Sequence, residues 1–492
     1  MPIDYAAIAP EIILAGTALL VLLVDLVLPR AAKGLLNPIA GLGAVGAIVA
    51  TALLWGDPRA TFGDAFVVNN YAVIFKLVLL GALVAILGIS WRYFAEGTWF
   101  QGEYYFLLLT SFLGMIIMPS ARDLLTLFIG LETVSIPAFV LAGLRKRDLY
   151  SSEAALKFFL IGVLSVALML FGMSLVYGFA GTTDLSGIAD AFARYQASGE
   201  PIPGLAYGSV MLVIVGFGFK VSAVPFHFWA PDTYAGSPLP VAAMLAVASK
   251  AAGFAGLIAV TFIAFEPVAD VWAPAMGILA ILTMTIGNLV ALQQRDIVRL
   301  LAYSSIAQAG YMLIPFGLAS TGAIDVNDTA VQAVVFYLAA YAVMNLGAFG
   351  VVIAVNRRTG VRRIEDYAGL GQRSPVLALA LTTFLLSLGG APPTVGLWAK
   401  FWIIQAAASA GTTFAYTLVG FLVVNSVIAF FYYLKVIRTM WMDPTAAGTP
   451  LVQPSPTTSL AVALLMVGTV VLGVLPWLIA NSNATTSILA GS

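Results

Sequence analysis

The sequence predicts an all-α polytopic membrane protein of about fourteen transmembrane helices, with two inverted five-helix repeats and breaks in helices 7 and 12. Three observations carry this fold class. Of 492 residues, 61% are hydrophobic and only 9% charged, with a mean hydropathy of +1.00, whereas soluble domains carry about 25% charged residues. Apolar stretches of roughly 20 residues, the length that crosses a bilayer, recur from one end of the chain to the other. Finally, Arg122-Asp123-Leu124-Leu125 and Arg295-Asp296-Ile297-Val298 each open a span, and two spans after each comes a helix interrupted by proline. Five spans separate the two units, an odd number, so the second sits upside down relative to the first. Paired broken helices in inverted repeats are a transporter architecture, with the ion path at the breaks.

Taken in order, the first four spans are expected near 6–28, 36–55, 72–94 and 103–119. The opening stretch has no basic n-region and reads as a retained helix. Next come 122–143, 152–180, 205–231 (broken near Pro225) and 238–264. The last six lie near 272–294, 298–319, 329–356, 375–409 (broken near Pro392-Pro393), 415–441 and 457–480. In these terms the N-terminal helices occupy 1–120, the first repeat 103–264, the second 272–441, and the last helix with a tail 457–492. The longest connection, 181–204, is too short for a soluble domain.

Basic residues cluster in the loops after odd-numbered spans: Arg30 and Lys33, Arg92, Arg145-Lys146-Arg147, Arg295 and Arg299, then Arg357, Arg358, Arg362, Arg363 and Arg373. The opposite loops hold only Arg59, Arg122 and Arg194. The positive-inside rule therefore turns both termini away from the cytoplasm. A formal net charge of +0 without a long basic run gives no reason to expect nucleic acid as a partner. Without cysteine, the chain cannot form a disulfide, a thiolate nucleophile or a Cys-ligated metal centre. A single histidine excludes a conventional haem or zinc site built by this chain alone. No phosphate-binding Gly-x-x-x-x-Gly-Lys-Ser/Thr sequence is present, so the drive comes from an ion gradient or a partner.

Four charges fall near mid-membrane: Glu132 in the fifth span, Lys220 in the seventh, Lys250 in the eighth and Lys400 after the second break. Each central charge costs roughly 2.5–3.5 kcal/mol to insert, which marks it as a functional candidate. A structural Glu132–Lys ion pair accounts for one lysine and leaves two in excess. A dry lysine-rich row can load and release protons and is a poor place for a bare metal cation. Pro225 removes a backbone donor beside Lys220, and Pro392 and Pro393 do the same before Lys400. His227 either relays protons or caps the carbonyls freed at Pro225. Lys157, with Glu153 at i−4, is either part of the path or a snorkelling surface residue. Lys76 and Lys435 read as snorkelling anchors. Ser304, Ser305 and Gln308, with Tyr337, Tyr341 and Asn345, either line a hydrated passage or bond neighbouring helices.

The run Lys220 to Trp229, continued by Ala230-Pro231-Asp232-Thr233-Tyr234-Ala235-Gly236-Ser237-Pro238, resembles the seventh-span signature of the antiporter-like subunits of respiratory complex I. These are relatives of Mrp-type sodium/proton antiporter proteins. Asn345-Leu346-Gly347-Ala348-Phe349 and Gly389-Gly390-Ala391-Pro392-Pro393 are similar to the same family. The likeness covers essentially the whole chain. Among the paralogues it is most similar to the N type. The twelfth-span charge is Lys400, where the M type typically has glutamate, and the chain ends soon after the last span, without the long lateral helix of the L type.

The resemblance implies a proton-translocating subunit of a NADH:quinone oxidoreductase, with an Mrp-type cation/proton antiporter subunit as the alternative. A scaffold whose charges only lock helices together is a reading from a different class. The resemblance further implies no cofactor or metal in this chain, and FMN, iron–sulfur clusters and quinone in partner subunits. It implies a hetero-oligomer with other membrane-arm subunits, neighbouring antiporter-like subunits among them, set in the lipid of a bacterial inner membrane with both termini periplasmic. By the same resemblance Glu132 pairs with Lys220, Lys250 is the central relay, Lys400 is the terminal proton site, and Lys157 modulates the pair. Aligned on the Arg-Asp pairs, Glu132 falls opposite Ser305, so a duplicate proton pair is not expected and the pathway is asymmetric.

Overall fold

The computed structural model describes residues 3–95, 101–320, 322–360, 362–445, 452 and 454–477, the side chains of Arg30, Ala31, Arg358 and Thr359 excepted. The expected tail at 478–492, the end of the last predicted span and the charges of Arg30 and Arg358 therefore lie outside the described residues. Among the described residues, 12 helices are long and apolar enough to cross a membrane. They include Leu124–Ala142 (the fifth span), Leu149–Ala180 (the sixth), Leu239–Ala264 (the eighth), Ile297–Leu318 (the tenth) and Thr413–Met442 (the thirteenth). At the seventh and twelfth positions stand shorter apolar helices, Gly204–Lys220 and Pro375–Gly389. Each resumes after a break, as Trp229–Gly236 and Val395–Ala410. Length and apolarity thus establish 12 continuous spans, and the proline breaks account for the two that fall short.

Backbone freed inside a membrane must find partners within the protein. At the seventh-span break, Ser222 turns left-handed (φ 61°) and Pro225 has no N–H. The Ala223 amide donates back to Gly218 O at 2.8 Å, and the Val224 amide donates to Thr283 Oγ1 of the ninth span at 3.0 Å. Trp229 Nε1 donates to Phe219 O at 3.2 Å. The twelfth-span break repeats the device, with Gly390 at φ 96° and its amide on Leu386 O at 3.0 Å. A side chain on Gly396 would place Cβ 1.7 Å from Ser387 O. Only glycine lets the second half of that helix pack so close to the first.

The two repeat units share their opening as well as their breaks. Asp123 Oδ1 caps the fifth span by accepting from the Leu125 and Thr126 amides at 2.7 and 3.3 Å. Asp296 Oδ1 caps the tenth by accepting from Val298 and Arg299 at 2.7 and 3.0 Å. Each capping aspartate also joins a short antiparallel bridge to the loop two spans further on, Asp123 to Asp184 and Asp296 to Arg363. The Arg-Asp pairs therefore mark the same three-dimensional joint twice.

Leu239–Ala264 is enclosed throughout, and the tenth and eleventh spans nearly so, while the first, second, sixth and thirteenth expose apolar faces. Two π-turns, Leu245–Ser249 and Val260–Ala264, bracket the segment Lys250–Ala259. Such turns rotate side chains out of helical register and are frequent at functional sites. Residues from alternate loops gather on opposite faces. One face carries a cavity of about 460 Å³ lined by Arg145, Lys157, Asp232, Asp296, Arg299 and Arg362. The other carries a cavity of about 910 Å³ lined by Arg59, Arg122, Asp184, Asp190, Glu266 and Asn327.

Three features depart from the sequence reading. The connection after the sixth span contains a helix, Leu185–Ser198, which buries Leu185, Ile188 and Phe192 and is capped by Asp184. A hairpin pairs Arg59–Thr61 with Phe66–Val68, because Phe62, Gly63 and Asp64 take the left-handed turn it needs. Lys76 is not a snorkelling anchor. It is fully buried, with Nζ 2.8 Å from Glu11 Oε1 and 4.8 Å from the centre of the Phe66 ring. The first span supplies the countercharge that the third span lacks locally. Lys435, in contrast, is exposed near the end of its helix.

Removing one member of a buried ion pair costs about 3–5 kcal/mol, whereas replacing both with apolar groups is often neutral. Lys76→Met is therefore expected to lower the melting temperature of the purified protein, and adding Glu11→Leu is expected to restore most of it.

Candidate functional site

The three mid-membrane lysines are each met by oxygen at a helix end or on a facing helix. Lys220 is the last residue of the first half of the seventh span, and its Nζ donates to Ser135 Oγ at 3.0 Å. Ser135 stands one turn beyond Glu132 on the fifth span, and its hydroxyl also donates to Leu131 O at 2.7 Å. Glu132 and Lys220 are thus neighbours across Ser135, with no direct ion pair between them among the described residues. Glu132 is half-buried, and its Oε1 is shielded from solvent without a hydrogen-bond partner.

Lys250 follows the first π-turn of the enclosed eighth span. Its Nζ donates to both the carbonyl and the Oγ of Ser305, each at 2.7 Å. Gly253, one turn further along, passes under the stem of Lys220, where a Cβ would lie 2.9 Å from Lys220 Cγ. The eighth span therefore touches one lysine and carries the next. Lys400 donates to Gly389 O, the last carbonyl before the twelfth-span break, at 2.6 Å, and lies 5.0 Å from the centre of the Tyr311 ring. A cation over an aromatic face gains electrostatic attraction when desolvated.

Other predicted residues fall around this row. Tyr341 lies against Ser305 and accepts from Asn345 Nδ2 at 2.8 Å. His227 is buried in the first break with its Nδ1 unpartnered, as is the nearby Ser222 Oγ. Lys157 is not beside Glu132 or Lys220. Its Nζ lies 2.6 Å from Glu153 and 2.8 Å from Asp232, and Asp232 also accepts from Arg299 at 2.8 Å. This cluster lines the smaller cavity and ties the sixth span, the second half of the seventh and the tenth together. Deeper in the same cavity, burial and the neighbouring Arg145 charge hold the Arg362 guanidinium below its ordinary range, while it donates to Ala235 O.

Residues 121–429, more than half of the chain, match the family described as NADH:quinone oxidoreductase/Mrp antiporter, TM. The NADH-quinone oxidoreductase subunit N of Trichlorobacter lovleyi is 39% identical over 479 residues, covering 97% of this chain and 96% of that protein. Subunit N 2 of Streptomyces griseus is 44% identical over 90% of this chain and 84% of its own length. The chain belongs to the subunit N family of NADH-quinone oxidoreductases. A chain of respiratory complex I from Thermus thermophilus superimposes with a TM-score of 0.79 at 33% identity, covering 97% of this chain and 99% of that one. A chain of the Mrp complex from Dietzia sp. shares the fold, with a TM-score of 0.82 at 20% identity.

Within the subunit N family, the inequality of the two repeats has a local cause. Aligned on the Arg-Asp pairs, Ser135 falls opposite Gln308; aligned on Pro225 and Pro393, Lys220 falls opposite Leu388 and Ser222 opposite Gly390. The contact Lys220–Ser135 is matched by Gln308 Nε2 donating to Leu388 O at 3.0 Å. A backbone carbonyl thus occupies the place of the first repeat's lysine. Ser135, Tyr311 and Asp232 were missed by sequence reasoning. Ser135 had one available signal, its place one turn from Glu132 on the same helix face.

Ser135 Oγ is the one hydrogen-bond acceptor of Lys220 Nζ among the described residues. Ser135→Ala leaves a buried donor unmatched, at a cost of about 1–3 kcal/mol. The expected outcome is a lower melting temperature, and Ser135→Thr, which retains the hydroxyl, is expected to recover it.

Proposed function

We propose that this chain is a proton-translocating membrane subunit of a NADH:quinone oxidoreductase, and that Glu132, Lys220, Lys250 and Lys400 carry the proton in sequence. The observation that supports the reading is the set of amines buried beside two helix breaks, each held by a hydroxyl or carbonyl oxygen and none by a paired carboxylate. An amine bonded to neutral oxygen can lose its proton without stranding an opposite charge. Ser222 Oγ and His227 Nδ1 at the first break, and Glu132 Oε1 on the facing fifth span, are buried polar atoms open to further hydrogen bonds. His227 then serves as a supporting relay, with Ser305 and Tyr341 supporting Lys250. Lys157 acts at the surface, in the Asp232–Arg299 cluster, through the position of the seventh span.

The two repeats, 103–264 and 272–441, are proposed as the moving units, with water reaching the row at Pro225 from one side and at Pro392-Pro393 from the other. The loops of the smaller cavity carry most of the basic residues, which supports a cytoplasmic position for that face and a periplasmic one for both termini in a bacterial inner membrane. One histidine and no cysteine cannot ligate an iron–sulfur cluster. The subunit N family membership supports placing FMN, the clusters and quinone in partner subunits. Glu132 is partly exposed at mid-span beside the exposed Ile129 and Ile136, and a carboxylate with any face to lipid is costly. A neighbouring membrane-arm subunit is proposed to cover it.

The test is proton pumping by the assembled complex in vesicles. Lys220→Ala, Lys250→Ala and Lys400→Ala are each expected to assemble normally and to lower the number of protons moved per NADH oxidised. Normal stoichiometry in all three would sink the proposal. Loss of assembly in proportion to loss of pumping would favour a scaffold role.

A further inference from the structure

The proposed row runs from Lys250 to Lys400, yet these two amines sit on different helices and make no hydrogen bond to a common atom among the described residues. What joins their surroundings is a side-chain network built from residues outside the row. Ser304, beside the Ser305 that holds Lys250, shares a hydrogen bond with Tyr433 Oη of the thirteenth span at 2.5 Å. Gln308, one turn further along the tenth span, donates through Nε2 to Tyr433 Oη at 3.5 Å and to Leu388 O at 3.0 Å. Its Oε1 accepts from Tyr337 Oη at 2.5 Å. Leu388 precedes Gly389, whose carbonyl receives Lys400 Nζ at 2.6 Å. Four helices thus meet at Gln308 and Tyr433, and every residue named is buried.

We infer that Tyr433 is a positioning residue for proton transfer. With Gln308 it holds the carbonyl end of the twelfth-span break, where Lys400 is seated, in register with the tenth-span serines where Lys250 is seated. The inference rests on the proton-transfer reading given above.

The geometry favours positioning over simple packing for two reasons. Gln308 uses both ends of its amide, so its orientation is set by Tyr337 on one side and by Leu388 O and Tyr433 on the other. Moreover, Gln308 stands at the second-repeat counterpart of Ser135, the residue that seats Lys220 in the first repeat. The same joint is used twice, once for a lysine and once for the backbone that carries a lysine's acceptor. Lys400 is held by a carbonyl at the end of an interrupted helix, so anything that shifts that end shifts the amine.

The experiment compares variants of the assembled complex in vesicles, reading protons moved per NADH oxidised, assembly and melting temperature. Tyr433→Phe retains the ring beside Tyr432 and removes the hydroxyl. It is expected to assemble and to lose most of the share of pumping that Lys400→Ala abolishes, with proton transfer slowed roughly tenfold or more. Adding Ser304→Ala is expected to deepen the loss little, because both changes cut one link. Tyr105→Phe, which removes an equally buried hydroxyl bonded to Asn37 in the N-terminal helices, is expected to pump normally. Should Tyr433→Phe fail to assemble, Gln308→Met provides the same test from the other side of the link. Normal stoichiometry in Tyr433→Phe, or equal losses in Tyr433→Phe and Tyr105→Phe, overturns the inference. If Lys400→Ala also pumps normally, the underlying proton-transfer reading has failed; if only Tyr433→Phe does, the link alone has.

Discussion

A cation in hydrocarbon must be met by oxygen, and this protein meets three of them with neutral oxygen at or near interrupted helices. Lys220 ends a helix, Lys400 bonds the last carbonyl of one, and Lys250 follows a π-turn in the most enclosed span. The alternative, a buried carboxylate for each lysine, would stabilise the charged amines and hold their protons. The fold does use that solution at Lys76, which pairs with Glu11 in the N-terminal helices. An ion-paired lysine there contrasts with hydroxyl- or carbonyl-bonded lysines in the repeats, the ones proposed to carry protons.

Everything around the row follows from keeping backbone satisfied while two helices are broken. Thr283 and the carbonyls of Gly218 and Leu386 absorb the freed amides, and left-handed Ser222 and Gly390 start the turns. Glycine at 396 lets the second half of the twelfth helix return against the first, and glycine at 253 gives Lys220 room beside the helix that carries Lys250. At the surface, Asp232 binds Lys157 and Arg299, so the second half of the seventh span is held to one helix from each repeat. The charged groups lie at one end of that segment, and the break that separates it from Lys220 lies at the other.

The two copies of this joint share their opening and differ at their centre. Where the first repeat sets Glu132, Ser135 and Lys220, the second sets Ser305, Gln308 and Leu388. The acidic and basic side chains are gone, and the second unit instead receives lysines contributed from elsewhere: Lys250 on Ser305, and Lys400 on Gly389. The capping aspartates and their bridges are the same in both copies.

Much of this was legible in the sequence. The membrane class, the continuous spans, the breaks at Pro225 and Pro392-Pro393 and the mid-membrane charges follow from hydropathy, proline chemistry and the cost of burying charge, all local properties. The amphipathic helix at Leu185–Ser198 and the hairpin at Arg59–Val68 were hidden because short elements carry weak periodic signals. Side-chain partners were hidden for a different reason. Ser135, Tyr433 and Glu11 reach Lys220, Ser304 and Lys76 across 85, 129 and many tens of residues, and nothing local distinguishes them from other polar residues in a bundle. The sequence by itself determined which charges are buried and where helices must break, since transfer free energy and backbone geometry act residue by residue. Only the tertiary structure decided which oxygen each lysine meets, because that depends on which helix faces lie against one another.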